Sequence, residues 1–240
     1  MSATWTIAKK EYQLAMRSVT SYIVFVLFLV ISGASFATTV FKINLAELRS
    51  VYATLHLLFV FFIPAITMGS IAKERTGGTI ELLSTLPIRL AHVVWGKIIS
   101  AFLQVLTLML FCVVYLGVII VFGQNIDYGA VATGFFGLML AALAYVSIGV
   151  FASSLPSNQV LAFVIALAIS GFFYAMRFVL VLMPLSVVRY VQYFSFEYHL
   201  SGFMRGVLDL RDLLFFVAVC LIFAFLAEFS LQSKNMMQER

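Results

Sequence analysis

Long uncharged apolar runs, separated by short polar or charged segments, divide the chain. Residues 20–41 form the first run and residues 51–72 the second, with His56 and Pro64 inside it. Each is close to the roughly 20 residues a helix needs to cross a hydrocarbon core about 30 Å thick. Residues 98–122 form the third. From Tyr128 to Met176 there is again no charge, and that stretch is too long for one helix. It divides at Ser153, Ser154, Leu155, Pro156, Ser157, Asn158 and Gln159, a polar turn-forming cluster. The result is a fourth span at 129–152 and a fifth at 159–183. The sixth is 212–232. The pattern therefore predicts an all-α, polytopic membrane protein with six transmembrane helices. Strands of a barrel would alternate polar and apolar positions, and the run from Val24 to Val30 does not.

Two further segments are neither spans nor simple loops. Over residues 3–19, Trp5, Ala8, Tyr12, Ala15 and Val19 recur at helical spacing, with Lys9, Gln13 and Arg17 on another stripe. This predicts an amphipathic helix lying on the membrane, with Lys10 adding to its charge. It serves either as a plain anchor or as a contact element. Residues 185–211 lie between the fifth and sixth spans, yet hold Tyr190, Tyr193, Phe194, Phe196, Tyr198 and Phe203. A solvated loop has no use for so many rings. The segment reads as one or two short helices dipping into the bilayer, and the alternative is an aromatic belt at the interface.

The segment between the second and third spans carries the most information. The second run ends in Lys73, Glu74 and Arg75, and Gly77 and Gly78 then break the helix. A short helix restarts at Thr79, with Glu81 in its first turn where the helix dipole favours an acid. Pro87 limits it. Residues 79–86 thus form about two turns with Ile80, Leu83 and Leu86 on one side. A partner could grip that face in a groove and the charged start by ion pairs. The competing interpretation is a surface helix that merely covers helix ends.

Composition agrees with the pattern. Of 240 residues, 63% are apolar and 10% charged, too few charges for a soluble chain of this length. An ordinary soluble enzyme, a disordered chain and a nucleic-acid binder are excluded. The net charge of +5 sits in the flanks and sets orientation. With the N-terminus inside, nine Lys and Arg fall on the cytoplasmic side: Lys9, Lys10, Arg17, Lys73, Arg75, Arg89, Lys97, Lys234 and Arg240. Five fall outside: Lys42, Arg49, Arg189, Arg205 and Arg211. Both termini are then expected in the cytoplasm. Cys112 and Cys220 lie in apolar runs, so neither a structural disulfide nor a metal cluster is expected. The first apolar run is too long for a cleavable signal peptide.

Two motif blocks carry a resemblance. The run from Phe62 to Met68, followed by Lys73, Glu74, Arg75, then Gly78, Thr79, Ile80, Glu81, Leu82, Leu83, Leu86 and Pro87, resembles the ABC-2 type permease family. The nearest likeness is to its gliding-motility-associated (GldF-like) branch, with the pattern P-A-I-T-M, E-E/K-R, G-T-x-E-L-L and P, followed by G-K at Gly96 and Lys97. The second block is His199, Phe203, Gly206, Asp209, Arg211 and Asp212, similar to the family stretch before the last span. The departure is Gly77 beside Gly78, where many members have a polar residue before a single glycine. The resemblance implies the transmembrane half of an ABC exporter in the bacterial inner membrane. Two permease halves would pair, from the same or different chains. Each would receive a cytoplasmic ATPase subunit, which would hold ATP and Mg. Residues 79–86 would be the coupling helix and 3–19 the elbow helix, with Trp5, Lys9, Lys10, Tyr12 and Arg17. Residues 185–211 would be the re-entrant outer helices, and an accessory periplasmic protein is a further expected partner.

The sequence offers no catalytic motif. A phosphate-binding loop needs a glycine five residues before Gly96, where Ala91 stands, and Ile98 follows the lysine. His56, His92 and His199 are far apart, and no protease motif occurs. Arg177, late in the fifth span, is expected either to snorkel outward or to pair with Glu197 or Asp209 and pin the outer helices. Glu228 is expected to reach the inner interface. Gly129, Gly134, Gly137, Ala141, Ala142, Ala144 and Ser147 make the fourth span a close-packing helix. An ATP-independent secondary transporter or channel is the first rival reading, but it calls for polar residues along the midplane. A scaffold that only recruits an ATPase is the second. The abundance of Phe, Leu, Val and Tyr favours a lipidic or amphipathic cargo.

Overall fold

The computed structural model describes residues 3–38, 48–78, 89–122 and 127–238. Among these described residues, six helices are long and apolar enough to cross a membrane. In chain order the elements are α1 (Ala3–Met16), α2 (Val19–Ala37), α3 (Leu48–Thr67), α4 (Ala72–Thr76), α5 (Leu90–Phe122) and α6 (Tyr128–Ser154). There follow α7 (Gln159–Leu182), α8 (Leu185–Val191), a 3₁₀ turn (Gln192–Phe194), α9 (Phe196–Phe203) and α10 (Leu210–Gln238). The candidate spans lie in α2, α3, α5, α6, α7 and α10.

The bundle is built around α6. Its residues 141–154 are almost continuously buried, because small side chains let neighbours close on every side. Gly134 lies against the ring of Tyr52 in α3, and Gly149 against Thr67 at the other end of α3. A Cβ on Gly137 would stand 2.6 Å from that of Phe203 in α9. Helices α3, α7, α9 and α10 all pack on α6. Asp127 caps its start by accepting from the amides of Gly129 and Ala130. The small residues of the fourth span therefore serve packing within the chain. Asn158 caps α7 in the same manner through Val160.

Two boundaries and one packed face differ from the sequence reading. The second run does not continue straight into its charged end: α3 stops at Thr67, residues 68–71 form turns, and α4 starts afresh. Pro64 removes a ladder donor there, and the Thr67 hydroxyl donates back to Ile63 O at 2.9 Å. The third span begins eight residues before the expected 98, because Lys97 is neutralised by acids and does not end the helix. Finally, α1 packs along the first half of α5. Its packed face carries Ile7, Ala8, Glu11 and Tyr12, whereas Trp5 and Val19 are exposed. Gly96 makes the close approach: a Cβ there would meet Ile7 at 2.7 Å.

Contacts among the described residues gather one set of elements on a single face of the bundle, called the N-terminal face. It carries α1, α4, the start of α5, the α6–α7 corner and the end of α10. The opposite, far face carries α8, α9 and the start of α10.

Candidate functional site

On the N-terminal face, four segments converge on Lys97, only 3% exposed. Its ammonium donates to Ser70 O at 2.6 Å and pairs with Glu74 at 2.7 Å and Glu11 at 3.9 Å. One charge from α5 thus ties α1, α4 and the 68–71 turn together. A buried lysine persists only when its charge is matched in this way.

Helix α4 is fastened from its other side by α6. The amides of Ile71 and Ala72 have no partner in their own helix, and both donate to Ser153 Oγ, at 3.0 and 3.1 Å. Ser153 in turn donates to Met68 O at 2.9 Å, so one hydroxyl bridges the whole break. Arg75 donates to Ser154 O at 2.9 Å and to Leu155 O at 3.2 Å. Thr76 bonds Ser157 O, and Ser230 of α10 reaches Ser154 O at 3.3 Å. Among the predicted coupling residues, Lys73, Glu74 and Arg75 lie on α4, and Gly78 follows at φ +67°. Glycine suits that left-handed conformation, which redirects the chain out of the helix. Thr79, Ile80, Glu81, Leu82, Leu83, Leu86 and Pro87 lie outside the described residues.

The elbow residues divide by role. The Tyr12 hydroxyl shares a hydrogen bond with Thr107 at 2.8 Å, and Thr4 one with His92 at 2.9 Å. Lys9, Lys10, Arg17 and Trp5 are exposed, Trp5 at 45%. A cleft of about 520 Å³ opens between α1–α2 and α3–α4–α5, with Glu11, Glu74 and Lys97 on its wall.

On the far face, α9 is wedged against α6, α7 and α10. Phe196 is fully buried among the rings of Tyr145, Phe173, Phe215 and Phe216. Beside it, Glu197 Oε2 meets His56 Nδ1 at 3.3 Å and Arg177 at 3.5 Å. Arg177 also lies over the rings of Tyr174 and Phe178. It therefore pins α9 through Glu197 instead of only snorkelling, and Asp209 is not its partner. The far nitrogen of His56 lies 3.0 Å from the Tyr145 hydroxyl. The two ring nitrogens of His56 thus bridge the Glu197 carboxylate and the Tyr145 hydroxyl. The Glu197 carboxyl is held below the ordinary glutamate range, chiefly by the His56 hydrogen bond, with the His56 and Arg177 charges adding.

The second motif block forms the turn between α9 and α10. His199 Nδ1 meets Asp212 Oδ1 at 2.7 Å, and Nε2 lies 3.0 Å from Tyr193 O. Phe203 is buried, and its carbonyl accepts from Thr133 at 2.7 Å. Gly206 has φ +86° and packs on the backbone of Ala130. Asp209 accepts from the Arg211 amide at 2.9 Å, while the Arg211 side chain is exposed. These residues fix the turn by geometry. His56 and Tyr145 belong to the far-face cluster but were not singled out by sequence. The available signal was a histidine inside an otherwise uncharged span.

A family model described as ABC-2 family transporter protein matches residues 4–227. No curated protein matches the chain.

Proposed function

The chain belongs to the ABC-2 transporter family, and on that premise we propose that it is the permease subunit of an exporter driven by a separate ATPase. That family is one of multi-pass membrane transport components. The N-terminal face is the cytoplasmic one in this reading, which puts both termini in the cytoplasm of the bacterial inner membrane. Two permease halves, from this chain or a related one, pair across the transport path, and one ATPase subunit docks on each. ATP and Mg belong to those subunits. Residues 79–86 are the coupling helix, α1 is the elbow and α8–α9 are the outer closure. The gliding-motility-associated branch is supported by the motif run from Pro64 to Lys97, and an accessory periplasmic protein is a further partner on that branch.

The observation that carries this reading is the fastening of α4. Residues 79–86 follow it directly. A force applied to them reaches α1 and α5 through Glu74 and Lys97, and α6 through Ser153 and Arg75. A surface helix with no mechanical role needs no such fastening. When the two ATPase subunits close on each other, the coupling helices follow, and the spans tilt to open the path toward the far face.

The test is co-purification of the chain with the ATPase encoded beside it. Leu83→Asp, or Glu81→Lys, is expected to reduce recovery of the ATPase about tenfold, in line with the loss of an apolar anchor or a docking charge. Undiminished association and transport in both variants would sink the coupling assignment.

A further inference from the structure

We propose that His199 and Asp212 form a proton-dependent latch, which holds the short far-face helices closed on the last span. The latch joins three segments. His199 lies on α9, Asp212 in the first turn of α10, and Tyr193 in the 3₁₀ turn that leads into α9. Imidazole Nδ1 lies 2.7 Å from Asp212 Oδ1, and Nε2 lies 3.0 Å from Tyr193 O. Phe215 of α10 stacks on the imidazole at 3.9 Å and holds the plane of the ring. The other carboxylate oxygen is set against α9: a Cβ on Gly202 would stand 2.8 Å from Asp212 Oδ2. Both side chains are largely enclosed, His199 at 4% exposure and Asp212 at 14%.

The two partners of the imidazole decide how many protons the arrangement holds. A backbone carbonyl only accepts, so Nε2 carries a hydrogen. A second proton lies between Nδ1 and Oδ1, because at 2.7 Å a bare ring nitrogen and a carboxylate oxygen would repel each other. That proton is required whichever of the two atoms carries it. When it leaves, the neutral imidazole has one N–H for two acceptors, and either Tyr193 O or Asp212 loses its bond. A buried acceptor without a donor is unfavourable, so the turn and α9 separate from α10. The closed arrangement needs the proton and the open one does not. Closure therefore holds at low pH and weakens as pH rises. The neighbouring charges are engaged elsewhere. On α9, Glu197 is turned to His56 of α3 and Arg177 of α7, and Tyr145 of α6 faces that same cluster. Arg205 is bonded to Ser201, Asp209 accepts from the Arg211 amide, and the side chains of Arg189 and Arg211 are exposed. The rings of Tyr193 and Tyr198 stand beside the imidazole at 6.4 and 5.3 Å. Among the described residues, no second carboxylate pairs with it.

The latch rests on the permease reading only in taking α8–α9 as the outer closure; there it makes opening of the path depend on acidity at the far face. Hydrogen–deuterium exchange of the full chain in nanodiscs reads the latch without an ATPase. Failure here leaves the ATPase-docking test untouched, and the converse also holds. Protection of residues 192–203 is expressed relative to the buried segment 141–154 of α6, which reports the intrinsic pH dependence of exchange. Between about pH 6 and about pH 9, that relative protection is expected to fall about tenfold in the wild type. In Asp212→Asn the carboxamide donates to Nδ1 while Nε2–H keeps Tyr193 O, so protection is expected to stay high at both pH values. His199→Phe has neither bond and is expected to be low at both. Glu197→Gln is expected to behave like the wild type. Thermal melts check that each variant folds; if Asp212→Asn or His199→Phe does not, the wild type and Glu197→Gln decide. A flat wild-type profile overturns the proposal. So does a fall that persists in folded Asp212→Asn, or wild-type protection in folded His199→Phe. A fall that disappears in Glu197→Gln assigns the proton to the His56 cluster and overturns it as well. Low protection of folded Asp212→Asn at both pH values has the same force, since the carboxylate charge and not the shared proton would then hold the turn.

Discussion

At the scale of single residues, the two charged clusters behave differently under test. Glu197 is depressed in the folded chain by the His56 hydrogen bond. A carboxyl of that kind binds protons more readily when unfolded. Its stabilisation is complete above the unfolded value and is lost as pH falls through the folded one. Melting temperature is therefore expected to fall on acidification through the carboxylate range, and less steeply in Glu197→Gln; identical acid profiles for the two proteins would refute the role. Gly137 is a steric case. A methyl group there would stand 2.6 Å from the Cβ of Phe203, so Gly137→Ala is expected to lower stability by about 1–3 kcal/mol, measured by denaturant titration in detergent. Glu74 shows how structure changes an experiment. Sequence marks it as a docking charge, but it neutralises the buried Lys97. Reversing it disturbs folding as well as docking, so Glu81 is the cleaner probe.

At the scale of elements, periodicity and punctuation made the bundle legible. The six long helices follow from uncharged length alone, and the break at the Ser153 cluster from its turn residues. The short helices of the far face were announced by their rings: Phe196, Leu200 and Phe203 recur at helical spacing and are the buried face of α9. What stayed hidden depends on partners distant in sequence. The α3–α4 break needs Ser153, 82 residues after Ile71, to satisfy two amides that no local pattern could place. The face that α1 buries was legible only in part: Ala8 and Tyr12 of the apolar stripe do pack on α5. Ile7 meets Gly96 and Glu11 meets Lys97 beside them, whereas Trp5 and Val19 of the same stripe are exposed. Ser153→Ala leaves two buried amides unpaired and is expected to cost about 1–3 kcal/mol. An unchanged denaturation midpoint would show that water replaces the hydroxyl.

At the scale of the whole molecule, docking and transmission are separable. Segment 79–86 is the proposed handle, and Lys97 is one of the ties behind it. Lys97→Met removes the tie and leaves the handle intact, so ATPase recovery is expected to persist while ATP-dependent transport falls by at least about tenfold. Loss of both together would mean that Lys97 acts by holding the fold. The polar clusters of the two faces were only partly legible, since Lys97 and His56 each gain meaning from helices far along the chain. The Ser153 bridge has a consequence for biosynthesis. A ribosome adding about 5–20 residues per second delivers Ser153 some 4–16 s after Ile71. Until the fourth helix has been inserted, the α3–α4 junction lacks its clasp, and the segment after it has no firm base. A nascent chain is thus a poor recruit for an ATPase, and translation itself sets the order in which membrane wall and motor are joined.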